Sequence, residues 1–243
     1  MAKTTMRIDR FLELSGACKS RTEAKKILHN HCVYVNDTVC LKAEFQIAPD
    51  SDVVLVNGTQ YTYKEFRYFV LNKPEGVISA TKDRISDTVM KLIPEADPEK
   101  FFPVGRLDKD TEGLLIITND GAFAHRIVSP RKEIAKTYLA TVEGVVQESE
   151  KKKLETGMHF MDFDTKPAKY EFVRELPGGS EALLTIYEGK YHQVKRMFHA
   201  VGHEVLKLKR IAIGGLSLSN DLEPGEYIEY TLEQLDEAIT KVD

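Results

Sequence analysis

Three acidic residues stand close together in the middle of the chain, where they could do chemistry. Asp108, Asp110 and Glu112 lie in one polar loop that leads into the apolar run 114–117. Carboxylates in such a loop can act as a nucleophile, hold a cation or simply face solvent. The residues by themselves leave these three interpretations open, and for an isolated stretch a solvated turn would be the first choice.

A metal site is the weakest of the three interpretations. The loop imitates the opening of an EF-hand, which needs a bidentate Glu at its twelfth position, but counted from Asp108 the twelfth residue is Asn119. His199 and His203 stand four apart, yet no carboxylate or cysteine completes a site at the usual spacing. We therefore predict no metal in this protein.

The elements that must position the acidic loop include many strands and fewer helices. Hydrophobic periodicity predicts strands at 67–71, 113–118, 137–143, 170–175, 182–187 and 205–213, and helices at 85–92, 122–127, 148–156 and 192–201. The acidic loop thus precedes a strand. Because the strands and helices do not alternate regularly, we expect an α+β fold with a mixed, largely antiparallel sheet and helices against it.

A small α/β unit precedes these elements. Its predicted elements are two helices and two strands, near 8–12, 20–28, 33–35 and 52–56. Ser20 and Glu23 have capping-box spacing, in which each side chain satisfies a backbone N–H at the start of the second helix. The polar stretch 57–65 is the predicted linker. We therefore predict two domains, at 1–62 and 63–243.

The charge balance limits how the protein could bind a nucleic acid. The formal net charge is −4 and the pI is near 6.0, whereas proteins that coat nucleic acid through overall charge are usually basic. Any such contact must therefore be local. Two stretches rich in Lys and Arg offer it: Arg7, Arg10, Lys19, Arg21, Lys25 and Lys26 near the start, and Lys190, Lys195, Arg196, Lys207, Lys209 and Arg210 near the end.

The composition is that of a globular protein. With 243 residues, of which 42% are hydrophobic, the chain can bury a core. No apolar run approaches the roughly 20 residues that span a bilayer, and the N-terminal residues lack the hydrophobic stretch of a signal peptide. The three cysteines include no Cys-x-x-Cys pair and fit reduced thiols. We expect a soluble, cytoplasmic protein that does not bind membranes.

Three segments of the N-terminal unit form a recognisable set. They read Arg7-Ile-Asp-Arg-Phe-Leu, Ser20-Arg-Thr-Glu-Ala-Lys-Lys-Ile-Leu and Val33-Tyr-Val-Asn-Asp. The set resembles the S4 RNA-binding domain, although Asn30-His31 occupy the bend where a glycine commonly stands. In that domain, helices present basic side chains to the RNA backbone, and such contacts position the protein without specifying a sequence. The resemblance implies phosphate contacts by these residues: Arg7, Arg10, Arg21, Lys25 and Lys26.

The rest of the chain carries a second set of motifs. The acidic loop reads Gly105-Arg-Leu-Asp-Lys-Asp-Thr-Glu-Gly-Leu-Leu115. Further motifs are Leu71-Asn-Lys-Pro-Glu-Gly-Val-Ile-Ser79, His125-Arg-Ile-Val-Ser-Pro-Arg131, Lys136-Thr-Tyr-Leu139, Glu188-Gly-Lys-Tyr-His-Gln-Val-Lys-Arg-Met-Phe198 and Pro224-Gly-Glu-Tyr227. Together they resemble the RsuA-like family of ribosomal RNA pseudouridine synthases, and within it the members that act on 16S rRNA. The resemblance extends from Arg7 to about Leu232.

This resemblance implies an enzyme that isomerises uridine to pseudouridine without a cofactor. The target base must leave the RNA stack to react. By resemblance, Asp108 is the nucleophile, Tyr138 packs on the uracil and Lys195 pairs with the catalytic carboxylate. Arg106 would fill the space left by the flipped nucleotide or hold a phosphate, and Arg196 would bind phosphate.

The same resemblance suggests a role for Asp110 and a partner for the protein. Asp110 rivals Asp108 by spacing alone, but the family pattern favours Asp108, so we expect Asp110 to support the loop through backbone hydrogen bonds. The implied partner is ribosomal RNA, above all 16S rRNA, free or within a pre-ribosomal particle, bound by a monomer. Two alternatives stay open: the same chemistry on 23S rRNA, and a non-catalytic S4-type RNA-binding or ribosome-assembly protein.

Overall fold

The chain divides into two compact units. The computed structural model describes residues 5–241. The first unit comprises Met1–Glu65 and the second Phe66–Asp243. The boundary predicted between residues 62 and 63 falls just before this division. Each unit has hydrophobic core residues of its own.

The N-terminal unit combines two helices with short strands. Its elements are β1 (Met6–Arg7), α1 (Ile8–Leu14), α2 (Arg21–His29), β2 (Val33–Val35), β3 (Thr38–Val39), β4 (Gln46–Ile47), β5 (Val54–Val56) and β6 (Thr59–Tyr61). Strands β3, β2, β5 and β6 form an antiparallel sheet in that order, and β1 pairs with β4. Phe11, Leu12 and Leu28 from the helices pack with Val33 and Val54 from the sheet.

The start of α2 is capped as the sequence predicts. The Ser20 hydroxyl accepts a hydrogen bond from the Glu23 backbone N–H at 3.3 Å. The Glu23 carboxylate accepts one from the Lys19 backbone N–H at 2.8 Å, one residue further back than in a capping box. Both side chains therefore hold the chain where it enters the helix.

The polar stretch after β5 is not simply a linker. Residues 59–61 form β6, which pairs antiparallel with β5. Asn57 and Gly58 connect the two strands with φ values of 52° and 80°. Two consecutive positive φ values suit the two-residue turn of a hairpin, and Asn-Gly is its preferred sequence. The linker prediction for 57–65 was thus wrong at 59–61.

The second unit contains the larger sheet. Its strands and helices are β7 (Tyr68–Lys73), β8 (Phe102–Pro103), β9 (Glu112–Thr118), α3 (Gly121–Val128), β10 (Lys136–Glu143), α4 (Glu148–Thr156), β11 (Lys169–Leu176), β12 (Gly179–Ile186), α5 (Gln193–Ala200), β13 (Val205–Ile213), β14 (Leu216–Ser217), β15 (Tyr227–Tyr230) and α6 (Leu232–Thr240). Two 3-10 turns lie at Val89–Leu92 and Pro130–Lys132.

These strands form one nine-stranded sheet. Its main order is β11-β12-β10-β13-β9-β7-β15, with β8 paired to β9 and β14 paired to β13. Strands β9 and β13 are parallel, and the other paired strands of the described sheet are antiparallel. The prediction of an α+β fold with a mixed, largely antiparallel sheet is confirmed.

The centre of the sheet is covered on both faces, because alternate residues of β7 belong to different cores. Phe69 and Leu71 join the cluster that contains Leu154 of α4 and Phe198 of α5. Tyr68 and Val70 belong to the other cluster, which contains residues of α3 and α6. A strand buried on both faces reads as a continuous apolar run, which explains why β7 and β9 were recognisable in the sequence.

Several elements of this unit differ from the prediction, which did not include the strands β8, β14 and β15. Residues 85–92 are not a helix: only Val89–Leu92 form a 3-10 turn. The backbone of residues 87–89 instead pairs with Ile78, which donates its N–H to the Asp87 carbonyl and accepts the Val89 N–H, both at 3.0 Å, and this extended pairing excludes a helix there. The helix α6 was not predicted at all. None of the described helices is long and apolar enough to cross a membrane.

Candidate active site

The acidic loop is fixed to the chain segment that follows β7. Ser79 donates its hydroxyl to the Leu107 carbonyl at 2.9 Å and accepts the Leu107 backbone N–H at 3.0 Å. Leu107 itself is buried in the main core. The residue before Asp108 is therefore held by both its backbone and its side chain.

A buried lysine anchors the loop from behind. The ammonium of Lys73, which is fully buried, donates to the carbonyl oxygens of Thr111 at 2.7 Å, Pro74 at 3.0 Å and Lys109 at 3.4 Å. Burial lowers the pKa of Lys73 to about 8, although the nearby carboxylates of Asp110 and Asp108 favour its charged form. The contacts with Lys109 and Thr111 fix the loop on both sides of Asp110.

The end of the loop lies against β13. Gly113 has a φ of +104°, and a Cβ on it would lie 2.2 Å from the carbonyl oxygen of Arg210. Only glycine fits this approach. The glycine therefore lets β9 pair in parallel with β13 directly after the acidic loop.

Asp108 faces two basic side chains from the segment that begins α5. Its carboxylate oxygens lie 3.6 Å from the Lys195 Nζ and 3.5 Å from the His192 Nε2. Lys195 also donates to the Asp110 carboxylate at 2.6 Å. That hydrogen bond lowers the pKa of Asp110. The loop thus presents two carboxylates to one lysine, and Asp110 contacts the lysine more closely than Asp108 does.

Asp108, Lys195 and His192 line a cavity of about 660 Å³, whereas Asp110 is not part of its wall. Asp108, Lys195 and Tyr138 come from three separate segments of the chain and all contribute to its wall. Tyr138 lies on β10 and is only 7% exposed, so its ring belongs to the core as well as to the cavity. A cavity of this size suits a small organic group such as a nucleobase.

A second charged group borders the same cavity. Lys136, Glu188 and Arg210 also line it, together with the apolar side chains of Ile186 and Ile213. Burial lowers the pKa of Lys136 to about 8; Arg210 adds to this effect and Glu188 opposes it. Among the described residues, the Arg210 Nη2 and the Glu188 Oε2 are buried without a hydrogen-bond partner.

Arg106 and Arg196, the arginines of the second unit with predicted RNA contacts, occupy different surroundings. Arg106 is exposed and lines the cavity. Arg196 forms a two-pronged ion pair with Asp162, at 2.9 and 2.6 Å, and its guanidinium lies over the rings of Phe160 and Phe163. Arg196 is thus engaged on the other side of α5, and it is not part of the cavity wall.

The predicted basic residues of the N-terminal unit are all exposed, but two of them have partners. Arg7 and Arg21 each bind the buried carboxylate of Asp9 at 3.0 Å. Burial alone would raise the pKa of Asp9, but the hydrogen bonds from the two arginines lower it overall. Arg10, Lys25 and Lys26 are exposed on the helices.

The sequence analysis did not single out three residues that the structure brings to the loop or the cavity. Lys73 and Lys136 stand inside quoted motifs, each beside apolar strand residues, which is the signal that could have drawn attention to them. His192 has a left-handed φ of 50° and stacks on Tyr191, with ring centroids 3.8 Å apart. A non-glycine residue in that conformation cannot be recognised from spacing.

Comparison with known proteins agrees with this architecture. A family model described as RNA pseudouridylate synthase matches residues 67–200, and the S4 domain model matches residues 6–54. An "uncharacterized RNA pseudouridine synthase YtzG" of Bacillus subtilis (strain 168) is 44% identical over 232 residues, 95% of this chain and 97% of its own. The "ribosomal small subunit pseudouridine synthase A" of Escherichia coli (strain K12) is 39% identical over 232 residues, 95% of this chain and 98% of its own.

A solved structure extends the match to the fold of the whole chain. The crystal structure of a pseudouridylate synthase is similar with a TM-score of 0.65 and 34% sequence identity, and the match covers 97% of this chain and 100% of that one. The family model spans the acidic loop, Tyr138 and Lys195. The chain belongs to the RNA pseudouridylate synthase family and carries an N-terminal S4 domain.

Proposed function

We propose that this protein converts a uridine of 16S rRNA to pseudouridine, with Asp108 as the nucleophile. The observation that carries the proposal is the meeting of Asp108, Lys195 and Tyr138 in one cavity of about 660 Å³. A module that only binds RNA has no need of a carboxylate, a cation and an aromatic ring around a space the size of a base. The small-subunit substrate rests on the name of the Escherichia coli relative.

Each of the three side chains has a task in this reaction. The carboxylate of Asp108 attacks the ribose of a uridine that has left the RNA stack. Lys195 keeps that carboxylate ionised by its charge, since a nearby cation favours the charged form of an acid. Tyr138 supplies an apolar ring against which the uracil packs, in place of the lost base stacking.

RNA outside the cavity would be held by phosphate contacts. Arg106 is exposed at the cavity and is suited to a phosphate or to the gap in the RNA stack. On the S4 domain, Arg10, Lys25 and Lys26 are exposed and basic, which suits the RNA backbone. We expect a monomer to bind 16S rRNA in this way, either free or in a pre-ribosomal particle.

The test is to incubate the enzyme with 16S and 23S rRNA, as transcripts and in partly assembled subunits, and to map pseudouridine. Wild-type protein should modify one uridine of 16S rRNA. Asp108→Asn should bind the RNA but form no product. Asp110→Asn is the matched control, because it neutralises the neighbouring acid, and it should slow the reaction without abolishing it.

The other outcomes separate the alternatives. If pseudouridine formed in 23S rRNA alone, the proposed substrate would be wrong but the proposed reaction would stand. RNA binding without product by the wild-type protein, on every substrate, would point to a non-catalytic assembly factor. If Asp110→Asn were inactive and Asp108→Asn active, the nucleophile would be Asp110 and not Asp108.

A further inference from the structure

The charged group formed by Lys136, Glu188 and Arg210 has no part in the chemistry assigned so far. All three side chains line the cavity that contains Asp108. Arg210 is 3% exposed and donates its Nε to the Leu114 carbonyl at 2.8 Å. Glu188 is 5% exposed, and its Oε1 accepts the Lys166 backbone N–H and the Gln193 side-chain amide. The Lys136 ammonium donates to the Ile134 carbonyl at 2.9 Å. Two cations and one carboxylate thus share a largely buried place.

Burying such a group of charged side chains destabilises the fold unless each charge has an interaction partner. Burial of a cation among apolar side chains destabilises its charged form, and this is the cause of the lowered pKa of Lys136. Leu208, Ile186 and Ile213 supply apolar wall beside it. In such surroundings, a cation acts more strongly on a neighbouring negative charge than it would in water. The excess positive charge favours a ligand that is, or becomes, anionic.

The position of the group relative to Tyr138 indicates which ligand this is. Lys136 precedes Tyr138 by two positions on β10, so both side chains lie on the same face of the sheet. Arg210 is the residue directly opposite Tyr138 on β13. A flat ring that packs on Tyr138 therefore has its edge close to these two cations.

We propose that Lys136, supported by Arg210, binds a carbonyl oxygen of the uracil and stabilises the negative charge that the base carries once its bond to the ribose has broken. This proposal rests on the proposed function, because it takes uracil as the ring on Tyr138. It makes Lys136 a catalytic residue beside Asp108, Tyr138 and Lys195, and it gives Arg210 a supporting role behind it.

The charge arises in one step and disappears in the next. When Asp108 forms a bond to C1′ of the ribose, the C1′–N1 bond breaks and its electron pair stays on the uracil, spread over N1, O2 and O4. After the base turns, C5 forms a bond to C1′ and the Asp108 carboxylate leaves. C5 then loses its proton and N1 gains one, so the product is an isomer of the substrate. A cation at O2 or O4 lowers the energy of the first step.

The experiment compares Lys136→Met with wild-type enzyme on two RNAs, one with uridine and one with 5-fluorouridine at the target. Fluorine withdraws electrons and stabilises the anionic base, so it partly replaces the missing cation. C5 of 5-fluorouridine carries fluorine and has no proton to lose, so the rate compared on the two RNAs is the single-turnover loss of the N1-linked nucleoside at the target, followed by nucleoside analysis. Lys136→Met should lower this rate about 100-fold with uridine and clearly less, about tenfold, with 5-fluorouridine. The KM for RNA should change little, because the charge exists only after binding.

Two further variants complete the test. Lys169→Met removes a lysine at the first position of another strand of the same sheet, where it is exposed, and should behave as wild type. Lys136→Arg keeps the charge and should recover most of the rate. With a pKa of about 8, Lys136 loses its proton as the pH rises, and so does Lys73, which holds the acidic loop. Wild-type kcat/KM should therefore fall more steeply above pH 8 than that of Lys136→Arg, in which Lys73 but not residue 136 titrates there.

The outcomes distinguish this proposal from the proposed function. If wild-type enzyme forms product and Lys136→Met is equally fast, or equally slowed on both RNAs, the role of Lys136 is refuted while the function stands. A lower thermal stability of Lys136→Met that explains its rate would also count against it. An inactive wild-type enzyme would instead refute the proposed function.

Discussion

Lys195 lies between two carboxylates, and its contacts there are unequal. Its Nζ is 2.6 Å from the Asp110 carboxylate but 3.6 Å from that of Asp108. The sequence analysis assigned Asp110 to backbone hydrogen bonds, whereas the structure gives it this ion pair. Asp110 therefore holds the lysine beside Asp108, where His192 and the buried Lys73 add to the basic surroundings of the two carboxylates.

Replacing Lys195 should affect the reaction far more than RNA binding. We expect Lys195→Met to lower the single-turnover rate about 100-fold, because two neighbouring carboxylates then lack their cation. Without that hydrogen bond the pKa of Asp110 should rise, which NMR titration of the carboxyl group can measure. Lys195→Arg should retain activity within about tenfold, since arginine also binds carboxylates. An unchanged rate in Lys195→Met would rule out the pairing with Asp108.

Much of the site could be predicted from the resemblance to the pseudouridine synthase family, whereas residue types and their spacing alone left Asp108 open between a nucleophile, a cation ligand and a solvated turn acid. Asp108, Tyr138 and Lys195 were selected from separate motifs, and the structure places them in one cavity. The predicted role of Arg196 fits less well, because its guanidinium is engaged by Asp162. That ion pair joins two distant segments, and sequence spacing carries no information about it. The same reason hid Lys73, whose hydrogen-bond partners include residues of another segment.

At the scale of elements, the parallel pairing of β9 with β13 depends on Gly113, which has no side chain. We expect Gly113→Ala to destabilise the protein by about 3 kcal/mol or more, because its φ of +104° is strained for alanine and the Cβ would meet the Arg210 carbonyl oxygen. Urea unfolding would measure the loss. Activity should fall as well, since the glycine ends the acidic loop.

The control for this substitution is a glycine at the start of a helix. Gly121 is the first residue of α3, and a Cβ there would have open space around it. Gly121→Ala should be neutral or stabilise the protein by up to about 1 kcal/mol, as alanine does at a compatible position. Equal losses in the two variants would mean that close packing against β13 is not the reason for Gly113.

The elements themselves were predictable where local patterns decide the structure. Strands with continuous or alternating apolar residues were found, and α4 was predicted at the residues it occupies. The error at 85–92 arose because residues 87–89 pair with the backbone of Ile78, a contact between separate segments that the local pattern does not show. α6 was missed although Thr231 and Gln234 form a capping box at its start. Leu232, Leu235 and Ile239 also stand at helical spacing, so the signals for α6 were local and the sequence analysis overlooked them.

At the scale of the whole molecule, a net charge of −4 must be reconciled with binding to RNA. The S4 domain places exposed cations on its helices, among them the adjacent pair Lys25 and Lys26 on α2. Because the net charge of the protein is negative, the rest of its surface repels RNA, and binding depends more on such local contacts. We therefore expect affinity to depend strongly on salt.

The double variant Lys25→Gln/Lys26→Gln should weaken RNA binding and flatten its dependence on salt. Each lost phosphate contact should reduce the slope of log K against log salt concentration by about 0.7 to 0.9. At saturating RNA, kcat should not change, because the S4 domain takes no part in the chemistry. The measurement is a binding titration at several salt concentrations, together with single-turnover rates.

A matched pair on another helix provides the control. Lys152 and Lys153 are adjacent and exposed on α4, so replacing both by Gln changes the net charge equally. That variant should keep the wild-type salt slope. If the two double variants lost the same affinity, binding would reflect overall charge, and the S4 helices would have no special role.

The parallel pairing of β9 with β13 also has a consequence for biosynthesis. Gly113 reaches its partner Arg210 only after about 100 further residues have been made, which takes about 5–20 s at the usual pace of translation. The S4 domain lies entirely within the first 65 residues and leaves the ribosome long before. A growing chain therefore completes its S4 domain well before the sheet that carries the candidate active site can close.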